Sequence, residues 1–185
     1  MQYIEAPYYV GLLTAAMYHG SAHHAPQVFQ VVTTSPRRMI HCGRVRIQFF
    51  TSRKMPDKNF LDQRKVQTGY MQISKPEFTC LDLVKNARKC GGLNHVGLVV
   101  SELCELLSKK KIADLLDPHN DTSTIQRLGF LIDAVSNGDI TSLLHKKLFR
   151  TDQKRTRLDP SASWTGSYNE KWAVIENIPL EVEEI

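Results

Sequence analysis

Six basic residues, Arg37, Arg38, Arg44, Arg46, Arg53 and Lys54, are the most chemically suggestive in this chain. They share a short stretch with Lys58, Arg64 and Lys65, and the acidic residues mixed in with these are Asp57 and Asp62. Guanidinium and ammonium groups gathered in this way suit the phosphates of a nucleic acid or an acidic protein surface. The competing reading of the same residues is a solvated outer strand face, or an edge strand guarded by charge. A second basic run covers residues 146–157, and residues 181–185 are acidic.

Other side chains could do chemistry in principle. His23 and His24 could ligate a metal as neutral imidazoles, although adjacent histidines in a polar loop read first as solvated surface residues. Asp57, Asp62 and Lys65 are residue types that nucleases use, but their spacing does not make a compact constellation on a strand. A solvated loop is the better reading of that segment. Leu158, Asp159, Pro160 and Ser161, followed by Trp164 and Trp172, could offer aromatic platforms to bases. Packing of the two indoles into the core is preferred, because ring burial carries a large free energy.

The motifs of several enzyme classes are missing. There is no Gly-rich phosphate loop, no His-Glu-x-x-His pair and no Gly-x-Ser-x-Gly elbow. The four cysteines, Cys42, Cys80, Cys90 and Cys104, form no Cys-x-x-Cys pair and have no zinc-ligand spacing with histidine. They read as buried or incidental thiols. No catalytic residue, metal ligand or cofactor is therefore assigned.

The elements that must position the basic residues follow from pattern and turn chemistry. A chain of 185 residues, 42% hydrophobic and 23% charged, is ordinary for one globular domain with a real core. The best apolar run, residues 96–107, is too short and too interrupted to span a membrane. The first residues lack a signal-type block, so a cytoplasmic protein is expected. Residues 7–19 read as a helix, with Tyr9, Leu12, Leu13 and Ala16 on one face and Gly20 as the stop. Residues 27–34, 39–41 and 44–51 read as strands, the last two joined by a tight turn at Cys42 and Gly43. In the third strand Val45, Ile47 and Phe49 should face the core while Arg44, Arg46 and Gln48 face solvent.

One more strand is expected at residues 66–73, bent at Gly69. Ser74 and Glu77 then suggest a capping box that opens a helix reaching about Lys89. Helices follow at 93–109, 123–136 (capped by Asp121) and 139–149 (capped by Asp139), with a helical turn at 112–116. A strand is expected at 172–175. A helix, a strand-rich block and a helix-rich block in that order predict an α+β fold: an N-terminal helix, a small mostly antiparallel sheet carrying the basic hairpin, and a helix-rich half.

Several segments together resemble a known family. Pro7, Tyr8, Tyr9, Val10, Gly11, Leu12 and Leu13, with His19 and Gly20, are similar to the opening of the AbiEi antitoxin C-terminal domain. So are residues 26–33 before the Arg-rich hairpin, and the run Ser74, Pro76, Glu77, Thr79, Leu81, Asp82. Gly91 and Gly92, then Arg127, Leu128, Gly129, Phe130 and Leu131, then Leu158, Asp159 and Pro160, and finally residues 169–177 around Trp172 complete the ordered set.

The resemblance covers about residues 7–177 and implies a type IV toxin–antitoxin repressor linked to abortive infection and phage defence. On that basis residues 1–177 are expected to form the antitoxin domain and residues 178–185 an acidic tail. The family's N-terminal winged helix is expected to be absent from this chain. The implied partners are a cognate nucleotidyltransferase-like toxin and operator DNA, the latter bound mainly through that winged helix, with no membrane. The implied role is non-catalytic antitoxicity and help in autoregulation. The alternatives are an enzyme that modifies the toxin or a nucleotide, and a nuclease-like DNA-binding domain.

Overall fold

The computed structural model describes residues 6–21, 26–67, 69–116, 121–136, 138–150 and 153–181. His23 and His24 lie outside the described residues. The chain divides into two compact units, Met1–Asp82 and Leu83–Ile185.

The first unit is built on a six-stranded mixed sheet. Its strands are β1 (Tyr8–Val10), β2 (Phe29–Thr33), β3 (Ile40–Cys42), β4 (Val45–Thr51), β5 (Leu61–Val66) and β6 (Gly69–Ser74), in the spatial order β3-β4-β2-β1-β6-β5. The pairs β1/β2, β3/β4 and β5/β6 are antiparallel, whereas β1/β6 and β2/β4 are parallel. The expected antiparallel bias holds, with two parallel pairings inside it.

Residues 7–19 correct the expected opening helix. Tyr8–Val10 is a strand in the middle of the sheet, and the helix α1 covers only Leu12–Tyr18. Aromatic and β-branched residues suit a strand, and the helix-like spacing of Tyr9, Leu12, Leu13 and Ala16 spans two different elements. Gly11 marks the change; a Cβ there would lie 3.0 Å from the Tyr9 ring and 3.1 Å from Val32.

Register shows which residues share a face, because directly paired positions point the same way. Val10 pairs with Val31 and with Ile73, and these face α1, where Val10, Ala15, Met71 and Ile73 form a core cluster joined by Phe29. Tyr9 pairs with Val32, and Val32 with Phe50, on the opposite face. There Tyr9 meets Phe78 edge-on at 6.0 Å and donates a buried 2.8 Å hydrogen bond to Asp82. Both faces of the central strands are thus covered, and consecutive residues of β1 and β2, such as Tyr9 and Val10 or Val31 and Val32, are buried on opposite sides.

The expected single strand at 66–73 is instead a hairpin of β5 and β6. Part of the segment read as a solvated loop therefore belongs to β5 (Leu61–Val66). Its polar residues concealed it, since an edge strand carries charge on purpose. Ser74 ends β6 rather than capping a helix, and its Oγ shares a 2.7 Å hydrogen bond with Thr79 Oγ1. Helix α2 runs Pro76–Lys85, and the division between units falls inside it.

The second unit holds the helices α3 (Leu93–Leu103), α4 (Lys109–Asp114), α5 (Thr122–Val135) and α6 (Ser142–Leu148). Asp121 caps α5 as expected, accepting from the Thr124 N–H, whereas Asp139 does not cap α6, whose N-cap is Thr141. Ile125, Leu128, Leu131 and Ile132 are fully buried. A small sheet, which the sequence suggested only at its last strand, completes the unit: β7 (Thr156–Arg157), β8 (Ser167–Asn169) and β9 (Val174–Glu176), in the order β7-β9-β8.

Candidate interaction surfaces

The hairpin β3–β4 sits at one edge of the large sheet, with β3 outermost. Its turn is Gly43-Arg44, and Gly43 has φ +57°. Glycine at the first central position of a two-residue loop is what a II′-type turn asks for, because a side chain there would be strained. Arg44 therefore occupies the turn and not the strand. Arg46 does lie in β4, opposite His41, and donates a long 3.4 Å hydrogen bond to Gln27 Oε1.

The six candidate residues do not form one patch. Arg44 and Arg46 belong to the turn end of the hairpin. Arg37 and Arg38 follow β2, and Arg53 and Lys54 follow β4. Because β2 and β4 are parallel, these four gather at the opposite end, where the Ser52 N–H bonds Thr33 O at 3.0 Å. Arg46 and Arg53 lie seven residues apart along and just beyond β4, roughly 23 Å at the usual rise of about 3.3 Å per residue, whereas Arg38 is two residues before Ile40, which pairs with Ile47. Arg38, Arg44, Arg46, Arg53 and Lys54 are exposed; Arg37 is half-buried, and its Nε has no hydrogen-bond partner among the described residues.

The apolar face of the hairpin also departs from expectation. Phe50, in phase with Arg46 and Gln48, is the buried residue of β4 at 3% exposure, while Val45 is 54% exposed. Ile40 pairs with Ile47 and Cys42 with Val45, so these four share one face, and Met39 just before them is 43% exposed. The alternation was legible, but its phase relative to the core changes along β4. Burial rises from the exposed Val45 and Arg46 through the half-buried Ile47, Gln48 and Phe49 to the buried Phe50. No property of the six residues themselves shows where the sheet's cover stops.

Asp57 and Asp62 do not converge with Lys65. Asp57 caps a short 3-10 helix by accepting from the Asn59 N–H at 2.8 Å. Asp62 and Lys65 lie three apart on β5, so they point to opposite faces. Among the described residues no group of three or more His, Cys, Asp or Glu is placed to hold a metal ion. Cys42 is exposed and the other three cysteines are buried; burial raises the Cys104 thiol to about 11.

In the second unit the two indoles part company. Trp172 is fully buried, as expected of a core residue, and donates its Nε1–H to Asp133 at 2.8 Å. The Thr141 hydroxyl and the Lys171 ammonium bond the same carboxylate, Lys171 at 2.6 Å. The ring lies against Gly129 so closely that a Cβ there would come within 2.3 Å of it. The Arg-Leu-Gly run is therefore structural: Gly129 admits the ring, and Arg127 donates to Arg157 O (2.7 Å) and Thr156 Oγ1 (2.8 Å). Burial holds the Arg127 pKa below its usual value. Arg127 also lines a cavity of about 220 Å³ with Arg88, Leu158 and Asp159.

The expected core packing fails for Trp164, which is 58% exposed, with the Arg157 guanidinium 4.8 Å from its ring centre. Arg155 lies 4.7 Å over the ring of Tyr168. The sequence singled out Trp164 and noted the basic run, but it missed Arg155, Arg157 and Tyr168 as a group. The signal that could have found them is the strict alternation Arg155, Thr156, Arg157, Leu158, which marks a strand with one solvated face.

Comparison with known proteins fits this picture. The crystal structure of the Rv2827c protein from Mycobacterium tuberculosis superposes with a TM-score of 0.64 at 16% sequence identity, over 92% of this chain. The match spans 62% of that protein's chain, and at this identity it speaks for a shared fold. A comparison with curated proteins gives no match. The family model for the AbiEi antitoxin C-terminal domain matches residues 9–134, more than half of the sequence, and the chain belongs to that family.

Proposed function

We propose that this domain serves an antitoxin and repressor of a type IV system by holding a nucleotidyltransferase-like toxin through the outer half of the β3–β4 hairpin. One observation carries this reading: Cys42 and Val45, both exposed and paired across the hairpin on one face, stand on the same edge element as Arg44 and Arg46. Apolar side chains with a rim of arginine are the composition of a protein interface rather than of an ordinary solvated face. The second basic group, Arg37, Arg38, Arg53 and Lys54, suits DNA phosphates. Contacts of that kind add affinity and orientation but little sequence information, so it would assist autoregulation while a winged helix reads the operator. The domain works in the cytoplasm and catalyses no reaction in this reading.

Titration of the domain against its cognate toxin tests the proposal. Val45→Asp and the pair Arg44→Glu, Arg46→Glu should each weaken the complex about tenfold or more, since a charge placed in a desolvated contact is costly, and both variants should keep the parent thermal midpoint. Arg53→Glu with Lys54→Glu should instead lower salt-sensitive binding to operator duplex. Folded Val45 and Arg44/Arg46 variants that bind toxin and protect cells as well as the parent would rule out the hairpin.

A further inference from the structure

The outward face of the small sheet in the second unit is a separate surface, made of different chemistry. Thr156 of β7, Leu158 just after it and Val174 of β9 are buried, and α5 packs on that side. The residues between them point away. Arg157 pairs with Ile175, and Ile175 with Tyr168, so the three stand in one row across all three strands. Arg155, two residues before Arg157 along the chain, lies on the same side, as its contact with the Tyr168 ring requires. Trp164 extends the row beyond Arg157.

Two features make this more than a solvated face. The rings remain open to solvent, Trp164 at 58% and Tyr168 at 42% exposure, although burying a large ring is the usual outcome of folding. Each ring is also paired with its own guanidinium, and Arg157 is held in place by donating to Ala162 O at 2.7 Å. Among the described residues neither arginine has a carboxylate partner within salt-bridge distance, and Asp159, two residues after Arg157, accepts from the Ser161 N–H and hydroxyl. Lys154 adds a further exposed cation beside Arg155.

We propose that this face, Arg155, Arg157, Trp164 and Tyr168 around Ile175, binds single-stranded RNA, its rings stacking on unpaired bases and its arginines meeting the adjoining phosphates. Aromatic rings on an open sheet face accept bases of any sequence because every base has a π-face. Duplex DNA keeps its bases stacked inside and offers such rings nothing, whereas RNA is the cell's abundant source of unpaired bases. This surface lies in the other unit from the hairpin and does not depend on the toxin reading.

The two tryptophans make the test direct. Trp172 is buried, so quenching of emission on adding a short unstructured uridine homopolymer reports on Trp164. Saturable quenching that weakens with salt is expected. Tyr168→Ala should weaken binding about tenfold, the effect of losing one base stack, while Tyr168→Phe keeps the ring and retains most of the affinity. Arg155→Gln with Arg157→Gln should flatten the salt dependence. Trp164→Ala, followed by fluorescence anisotropy of labelled RNA, should lose about as much as Tyr168→Ala. Absence of quenching at low salt overturns the proposal. So does equal affinity for duplex DNA, and so does full affinity in both ring-deleted variants.

Discussion

The two edges of this molecule that carry arginine beside apolar side chains are built in opposite ways. The β3–β4 hairpin is held by its strand pairing and a glycine turn, and its residues 41–46 are exposed. The β7-β9-β8 sheet is tied down from behind. Gln126 bonds Lys154 O and Trp172 O, Arg127 bonds Arg157 O and Thr156, and Asn177 bonds Asp159 O and Ser163 O. Both present a basic face, yet one can yield to a partner while the other holds its residues in fixed rows. Polar networks of this kind rigidify when every member is satisfied. The motif residues of the second unit are therefore spent on holding its sheet, whereas those of the hairpin are spent on its surface.

The contrast predicts where substitutions hurt. The largest effect is expected at Gly129. Alanine is the better helix former by about 1 kcal/mol, but its methyl would overlap the Trp172 ring, whose movement would disturb the whole network. Gly129→Ala should destabilise by about 3 kcal/mol, at the upper end of overpacking effects. A variant as stable as the parent in urea would show that the ring moves freely, and the contrast between the edges would collapse.

Asp133→Ala should come next. It leaves the buried indole N–H without its acceptor, a loss of about 2 kcal/mol. Lys171→Ala removes a partner of the same carboxylate that is itself half-exposed, and should cost well under 1 kcal/mol. Equal effects from the two would place the weight on the ion pair instead of the indole. The hairpin variants Val45→Asp and Arg44→Glu, made for toxin binding, should lie within about 0.5 kcal/mol of the parent, as exposed substitutions usually do.

The smallest effect concerns pH. His19 is held below its ordinary pKa by burial, with Arg64 adding to the effect; the Ser74 carbonyl, 2.7 Å from Nε2, pulls the other way. The unfolded chain therefore takes up a proton at this site before the folded one does. Stability is fully present above about pH 6.5 and falls as the pH drops below it. Thermal midpoints of the parent and of His19→Asn should converge towards acid pH. Parallel curves would mean that this histidine does not contribute to the pH dependence.

Legibility followed the same division. Helix α5 could be read closely because its stripe is regular and Asp121 is a good cap, and the hairpin turn was marked by Gly43. Tyr8–Val10 was misread because three residues are too few to establish a period. β5 was missed because Asp62, Arg64 and Lys65 belong to an edge strand, whose composition mimics a loop. The candidate basic residues were named correctly as exposed charge, with Arg37 half-buried, but not as two groups, because their separation comes from the parallel pairing of β2 with β4.

The sequence by itself determined the α+β class, a tight hairpin turn involving Gly43 and the membership of the family, since each depends on local pattern or on an ordered set of motifs. The tertiary structure decided which strands lie side by side, which half of β4 is covered, why Gly129 must lack a side chain, and that Arg155 and Arg157 share a face with Tyr168 and Trp164. The physical reason is that pairing and close approach join residues distant in the chain, and no local periodicity encodes which distant partner will be chosen.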